Sequence, residues 1–469
     1  MTTVSNRSDY ERAIGLLLER INYERAAAEN YGEREYKLDR MRELLARLGH
    51  PERGVPIVHI AGTKGKGSTA AMAAAVLTAA GYRTGLYSSP HLHRIEERMM
   101  IDGHACSPER FVTLVELLRP AAAQMDAVAA SSPLEVPPTY FELTTALALL
   151  HFAGAGGERP VDACVLEVGM GGRLDSTNVC QSWVSVITSI SYDHTKQLGN
   201  TLALIAREKA GIAKPGVPLV SGVVDDEPAA VIDEVCRREQ SPLIKLGREF
   251  AFDYRPPQHL EQAAHFGQLD YRSTANGQQR VLAGLSLGLV GRHQAANAAV
   301  ALAALEQLEP RGFATGEAAI RQGLAAVRWP ARVEVVSRQP TVVVDASHNV
   351  ASVAALLGAL DESFASRRRL LVFAGTREKD GRGMLALLLP RFDRVIFTAY
   401  RHNPRNVPPD ELQALAEELG ARHTSTSADP KSAWQESRAW AEADDLICVT
   451  GSFFIAAEMR DEIGRSPAN

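Results

Sequence analysis

Residues 59–69 read HIAGTKGKGST, which puts three glycines (Gly62, Gly65, Gly67) and two lysines (Lys64, Lys66) within six residues. A β-branched run ends here and an alanine-rich, helix-forming run begins. Glycines let backbone N–H groups turn inward, a helix N-terminus adds positive potential, and a lysine adds charge. That combination holds phosphate. The candidate nucleotide-binding residues are therefore Gly62, Thr63, Lys64, Gly65, Lys66, Gly67 and Ser68. Lys66 is the phosphate lysine, and Ser68 or Thr69 the hydroxyl at the helix start. The strict G-x-x-x-x-G-K-[ST] spacing is absent, since position 60 is Ile and Gly67 separates Lys66 from Ser68. An ordinary glycine turn would not need two lysines, so phosphate binding is favoured. The identity of the nucleotide is not given by the loop.

Three further side chains sit where chemistry is expected. Glu167 ends the hydrophobic run DACVLEVG, at the strand edge where α/β sheets bind ligands. Beside a phosphate loop a carboxylate suits Mg²⁺, which takes hard oxygen ligands. His194 follows the run SVITSI, again at a strand end, although a lone histidine is more often structural. Lys209 lies in the helical segment LALIAREKAG, and periodicity does not say whether it faces a site or solvent.

The elements that must position these residues follow from the pattern. Ile14, Leu17, Leu18 and Ile21, then Leu38, Met41, Leu44, Leu45 and Leu48, recur at helical spacing over residues 8–49. Strands are expected at VPIVHIAG, RTGLYSS, DACVLEVG, SVITSI and VPLVSG, alternating with glycine-rich turns and helices. Residues 245–290 are less periodic and read as short, antiparallel strands. After a helix at HQAANAAVALAALEQL, Trp329-Pro330 breaks the pattern. Strands TVVVD, LLVFAG, RVIFTA and LICVTGS then begin a second alternating run. Two parallel α/β sheets are the expected result, with a boundary near 328–333.

Composition bounds the function. The 469 residues are 45% hydrophobic and 23% charged, with a net charge of −5, the balance of an ordinary globular protein. No overall basic field draws the chain to nucleic acid or anionic lipid. Five scattered cysteines without a C-x-x-C spacing fit a reducing compartment rather than a disulfide framework or zinc cluster. The N-terminus lacks a signal-peptide core and no run of about 18 apolar residues occurs, so a cytoplasmic protein with no membrane partner is expected.

Seven segments now fall in one order: GTKGKGS, YSSPHLHRIEERMMIDG, LEVGMGGRLDSTN, SYDHTKQLG, REKAGI, WPAR and DASHN. In this order they resemble the folylpolyglutamate synthase/dihydrofolate synthase family of the Mur ligase superfamily, from about residue 10 to GSFFIAAEM near the end. The resemblance implies a two-domain α/β protein. Residues 1–328 would form a P-loop ATPase domain with N-terminal helices and a mainly parallel sheet. Residues 333–469 would form a Rossmann-like glutamate-ligase domain. It implies ATP-dependent joining of L-glutamate to dihydropteroate, to a (poly)glutamylated tetrahydrofolate, or to both. An acyl phosphate would form, and ADP and phosphate would be released. A carboxylate is a poor acylating agent, and phosphorylation supplies the leaving group. Phosphoryl transfer needs cations more than a protein nucleophile, so no Ser-His-Asp array is called for.

The resemblance also assigns roles by motif. Lys66, His194 and Lys209 would be catalytic. Ser89, Glu167 and His194 would hold Mg²⁺. Lys209 matches the lysine that is carbamylated in the superfamily, a change that turns a cation into an anionic oxygen ligand. Asn297 and Arg332 would contact nucleotide phosphates, and Asp345 the ribose, with His348 close by. Thr139, Phe141, Asp175 and Ser176 match the pteridine-binding segments, with Phe141 a stacking face and Asp175 an acceptor for ring N–H groups. The implied partners are small molecules only, and the family expectation is a monomer.

Three departures from the family pattern stand out. Lys64 replaces the more usual Asn, which would add positive charge beside the phosphates. DASHNV stands for DGAHNP, keeping Asp345, His348 and Asn349, and Ser176 stands where Ala is common. Two other readings compete. A Mur-type ligase for a non-folate acceptor would share the phosphate loop, Glu167, His194 and Lys209. A catalytically inactive nucleotide-binding protein would need a lost chemical group, and every motif group is present.

Overall fold

The computed structural model describes residues 3–22, 38–131, 136–277, 279–401 and 403–465. The part of the expected N-terminal helices between 23 and 37 lies outside the described residues. The chain forms two compact units. One comprises Met1–Phe252, Tyr271–Leu282 and Ala296–Ala326. The other comprises Asp253–Asp270, Ala283–Ala295 and Val327–Asn469.

The first unit is built on eight strands: β1 (Ile57–Ala61), β2 (Thr84–Tyr87), β3 (Met99–Ile101), β4 (His104–Ala105), β5 (Ala163–Glu167), β6 (Val184–Ile187), β7 (Leu219–Ser221) and β8 (Leu243–Lys245). They lie in the order β4-β3-β2-β5-β1-β6-β7-β8. The run β2-β5-β1-β6-β7-β8 is parallel throughout, and the two pairs at the other edge, β2–β3 and β3–β4, are antiparallel. β1, β5 and β6 are buried along their whole length, which is why they read as mainly apolar runs rather than as alternation.

Helices cover this sheet. Lys66–Ala79 is so rich in alanine that its surface is narrow, and it packs against the helix Glu317–Ala326. The approach is close enough that a Cβ on Gly323 would collide with the backbone of Val76. Tyr140–Phe152 is apolar nearly all round and buried nearly all round, as a helix inside a core must be. With Pro108–Ser131 it encloses Tyr87, Phe111, Leu143 and Phe152. Neither helix was singled out in the sequence: Tyr140–Phe152, buried on every face, has no amphipathic period to find, whereas Pro108–Ser131 buries one face at helical spacing, with Phe111, Leu114, Val115, Leu118, Ala121, Ala122 and Met125 inside.

Three strands, β9 (Phe250–Arg255), β10 (Gly267–Ser273) and β11 (Arg280–Leu287), form a separate sheet in the order β11-β10-β9. The second unit contains β12 (Glu334–Arg338), β13 (Thr341–Val344), β14 (Arg369–Phe373), β15 (Arg394–Phe397), β16 (Thr424–Thr426) and β17 (Leu446–Thr450). Their order is β12-β13-β17-β14-β15-β16, parallel except at β12–β13. Val343, Leu371, Phe373, Phe397 and Leu446 form its core with Leu356, Leu360 and Leu385 from the covering helices. All five cysteines are free and buried. No helix among the described residues is long and apolar enough to cross a membrane.

Candidate functional site

Four adjacent strands, β2, β5, β1 and β6, point the same way, with Tyr87 opposite Leu166, Ile60 opposite Glu167, and Ala61 opposite Ile187. Their C-terminal ends therefore share one edge of the sheet. Ser89, Glu167, the phosphate loop and Thr188 all leave from it. The chain goes from β1 to β2 on one side and from β6 to β7 on the other, so the strand order reverses here. Such a reversal opens a crevice for ligands.

The phosphate loop is shaped by two glycines at positive φ, where a side chain would be strained. Gly62 has φ 149° and Gly65 has φ 84°. A Cβ on the first would collide with the Thr188 hydroxyl, and on the second with the Asn297 amide. Asn297 is thereby placed against the loop. The loop is also sewn to the segment after β6. Lys64 N donates to Ser189 Oγ at 3.1 Å, and Thr188 Oγ1 donates to the Lys64 carbonyl at 2.6 Å. Thr63 Oγ1 accepts from Ser191 N at 3.1 Å. The helix begins at Lys66 with no acidic residue in its first turn. One turn in, the buried Thr69 hydroxyl has no hydrogen-bond partner.

Lys64 brings a carboxylate to the loop: its Nζ lies 2.7 Å from Asp193 Oδ2. Asp193 was missed in the sequence, although it directly precedes His194. His194 itself is at φ 49° and its side chain is 45% exposed.

Glu167 is buried, and one of its oxygens accepts from Ser89 N at 3.2 Å. The two residues are thus neighbours, and a carboxylate with a hydroxyl is a donor set that suits Mg²⁺. Among the described residues there is no group of three His, Cys, Asp or Glu side chains placed to hold a metal. A Mg²⁺ ion here would rely on few protein groups and complete its shell with phosphate oxygens and water, as this ion commonly does beside nucleotides.

Lys209 lies near the end of the helix Leu202–Ala210 and is only 4% exposed. Burial lowers its pKa from 10.5 to about 7, the charges of Lys66 and Lys64 push the same way, and Asp193 and Asp175 oppose them. The lysine is therefore turned inward, within reach of the charges of Lys66, Lys64, Asp193 and Asp175, which periodicity left open. A buried lysine with a neutral fraction at physiological pH is a nucleophilic amine.

The loop after β5 is organised by Asp175. Its Oδ2 accepts from Gly169 N at 3.0 Å and Met170 N at 3.1 Å, and its Oδ1 from Thr177 N at 3.0 Å and Thr177 Oγ1 at 2.5 Å. Burial raises its pKa while these donors hold it back. Ser176 is buried and begins the short turn Ser176–Val179. The Phe141 ring lies on Gly169, where a Cβ would strike it, and 6.0 Å from the Tyr87 ring. Thr139 caps the helix Tyr140–Phe152. Its N and Oγ1 both donate to Glu142 Oε2, at 2.8 and 2.9 Å, and Arg40 grips Glu142 from the N-terminal helix at 2.8 Å in a buried pair. Thr139 is thus held by two residues that the sequence motifs did not name.

The second unit holds the remaining residues together among themselves. Arg332 sits between Ala331 at φ 55° and Val333 at φ 47°. A left-handed valine is a costly conformation, of the order of 1–3 kcal/mol, and it persists only where the surroundings enforce it. Here Asp345 Oδ2 accepts from Val333 N at 2.9 Å, while Asp345 Oδ1 accepts from Ser347 N and Ser347 Oγ. The guanidinium of Arg332 lies 5.9 Å from the Phe453 ring centroid. His348 Nδ1 donates to the Ala346 carbonyl at 2.9 Å. His293, unassigned in the sequence, has its pKa lowered by burial, with Asp345 opposing and Arg332 adding to the shift.

Comparison with known proteins covers nearly the whole chain. Residues 113–305 match the Mur ligase middle domain, and residues 331–453 match the Mur ligase glutamate ligase domain. A dihydrofolate synthase/folylpolyglutamate synthase of Bacillus subtilis is 33% identical over 428 residues, which are 91% of this chain and 94% of the relative. The solved structure of Mycobacterium tuberculosis folylpolyglutamate synthase complexed with ADP superposes with a TM-score of 0.86 at 34% identity, covering 99% of this chain and all of that one. Escherichia coli FolC in complex with DHPP and ADP gives a TM-score of 0.78 at 30% identity, covering 98% of this chain and 97% of that one.

Proposed function

The chain belongs to the dihydrofolate synthase/folylpolyglutamate synthase family of Mur ligases, and on that premise we propose that it joins L-glutamate to dihydropteroate, to tetrahydrofolates, or to both, at the expense of ATP. The observation that carries this reading is the gathering of the phosphate loop, Glu167 and buried Lys209 at one sheet edge, in a chain that matches its relatives from end to end.

The chemistry runs in two displacements. An oxygen of the acceptor's carboxylate attacks the γ-phosphorus, the bond to the ADP oxygen breaks, and an acyl phosphate forms. The amine of L-glutamate then attacks the acyl carbon, phosphate leaves, and the amine loses a proton as the amide forms. Lys66 and the N–H groups that open the helix Lys66–Ala79 neutralise the phosphoryl oxygens as charge moves between them. Ser89, Glu167 and His194 are the residues we assign to Mg²⁺, which supplies Lewis-acid stabilisation of phosphate charge.

Lys209 at a pKa of about 7 is partly an uncharged amine, the form that reacts with carbon dioxide to give a carbamate. The carbamate would present anionic oxygens next to the metal ligands and relieve the burial of a cation. Phe141 and the loop that Asp175 organises would receive the pteridine. Asn297 and Arg332 would meet the nucleotide phosphates, and Asp345 and His348 would line the ribose. The reduced, buried cysteines and the small-molecule substrates suit a cytoplasmic enzyme acting as a monomer.

Purified protein with ATP, Mg²⁺ and labelled glutamate, offered dihydropteroate and tetrahydrofolate side by side, should yield labelled dihydrofolate or labelled polyglutamate. No product from either acceptor, with activity appearing only on a different carboxylate, would overturn the assignment.

A further inference from the structure

His59 lies in the middle of β1, fully buried, and has no part in the phosphate loop three residues on. Its Nε2 is 2.8 Å from Thr177 Oγ1, a residue 118 positions later in the chain. Thr177 Oγ1 in turn lies 2.5 Å from Asp175 Oδ1. Three backbone N–H groups, of Gly169, Met170 and Thr177, also aim at the Asp175 carboxylate. They hold it as an acceptor, so the single hydroxyl proton of Thr177 goes to Asp175. Thr177 must then accept from His59, and the imidazole must carry its proton on Nε2. The other nitrogen, Nδ1, is buried with no hydrogen-bond partner. A leucine in this apolar strand would avoid that penalty. What the imidazole contributes and a leucine cannot is the donated bond to Thr177.

We propose that His59 is a positioning residue for the acceptor loop. It donates through Nε2 to Thr177, Thr177 donates to Asp175, and Asp175 fixes the N–H groups of Gly169 and Met170 just beyond Glu167. The strand that launches the phosphate loop thereby sets the shape of the loop after its neighbour β5. This rests on the reading that residues 169–177 receive the pteridine. The relay should then govern binding of the acceptor and leave ATP binding alone.

The test uses the full-length protein with His59→Leu, His59→Gln, Thr177→Val and the His59→Leu/Thr177→Val double variant. His59→Leu should raise the KM for the pterin acceptor about tenfold, the scale of one lost hydrogen bond, with the KM for ATP within about twofold. His59→Gln, whose amide nitrogen reaches the place of Nε2, should stay within about threefold of the parent. The double variant should be no worse than Thr177→Val, because both act on one chain of bonds. Equal losses for Leu and Gln, additive losses in the double variant, or a matching rise in the KM for ATP would each overturn the proposal. Nitrogen-15 NMR of His59 gives a readout that needs no turnover and no His59→Leu protein. A neutral ring protonated on Nε2, perturbed by Thr177→Val, supports the relay even if the parent ligates no glutamate to a pterin, an outcome that would sink the function alone. A ring protonated on Nδ1 would overturn the relay whatever the substrate.

Discussion

The loops after β1 and β5 leave neighbouring parallel strands at the same sheet edge, yet they are built on opposite principles. The loop after β1 is shaped by bare backbone, using Gly62 and Gly65 at positive φ where a side chain would collide with Thr188 or Asn297, and it brings lysine charge. The loop after β5 turns inward on its own carboxylate, Asp175, which gathers four donors. On the proposed function, the first would meet phosphate oxygens and the second would keep a fixed shape against the pterin ring. The pKa of Lys209 is lowered to about 7 because its burial, with the first loop's cations, outweighs the carboxylates of Asp193 and Asp175.

The largest effect should come from the cationic loop. Lys66→Met should lower kcat/KM roughly 10³-fold, comparable to losing a main electrostatic contact to a transition state, with the thermal midpoint unchanged. A drop of less than tenfold would mean that the backbone alone carries the phosphate. Next, Glu167→Gln should cut Mg²⁺-dependent turnover by about 10²-fold and raise the Mg²⁺ needed for half activity. An unchanged metal titration would remove Glu167 as a ligand.

Lys209→Ala should depress turnover by a similar factor, and added short carboxylates should restore part of it. Full activity would refute a catalytic role. The same lysine makes a stability prediction with a definite sign. Its pKa is about 7 in the folded protein and 10.5 for an ordinary lysine. Between those values the unfolded chain binds more protons, so in buffer free of carbon dioxide stability should rise with pH from about 7 to 10.5. Lys209→Met should flatten that slope in denaturant titrations, and a slope unaltered by the substitution would place its origin elsewhere. The smallest effect is expected for Lys64→Asn, within about threefold in kcat/KM, because Asp193 already partners the lysine's charge. A rise in the KM for ATP of tenfold or more would place Lys64 at the phosphate site.

These two loops also mark how far a sequence can be read. The phosphate loop announces itself locally, since its glycines and lysines are adjacent and sit at a strand-to-helix junction. Glu167, His194 and the strands beneath them follow from apolar runs and their ends. The loop after β5 could be assigned only through family likeness, because what shapes it comes from far away. His59 reaches Thr177 across 118 residues, and Arg40 reaches Glu142 across 102. Lys209 was undecided for the same reason, as burial is a property of packing rather than of helical spacing. Asp193 was adjacent to a chosen residue and still missed, since only the fold brings it to Lys64. The buried helix Tyr140–Phe152 left no period to detect, although Thr139 and Glu142 form its capping box in plain view.

The claim at the centre of this account is that the acceptor's carboxylate is activated by phosphorylation at the edge shared by the two loops. It is tested most directly by supplying dihydropteroate or a tetrahydrofolate with oxygen-18 in the carboxylate that becomes the amide, then measuring the isotope in the released phosphate by mass spectrometry. The account predicts one oxygen-18 per phosphate for each amide formed. Phosphate that carries no label, in a reaction that still makes the amide, would contradict it.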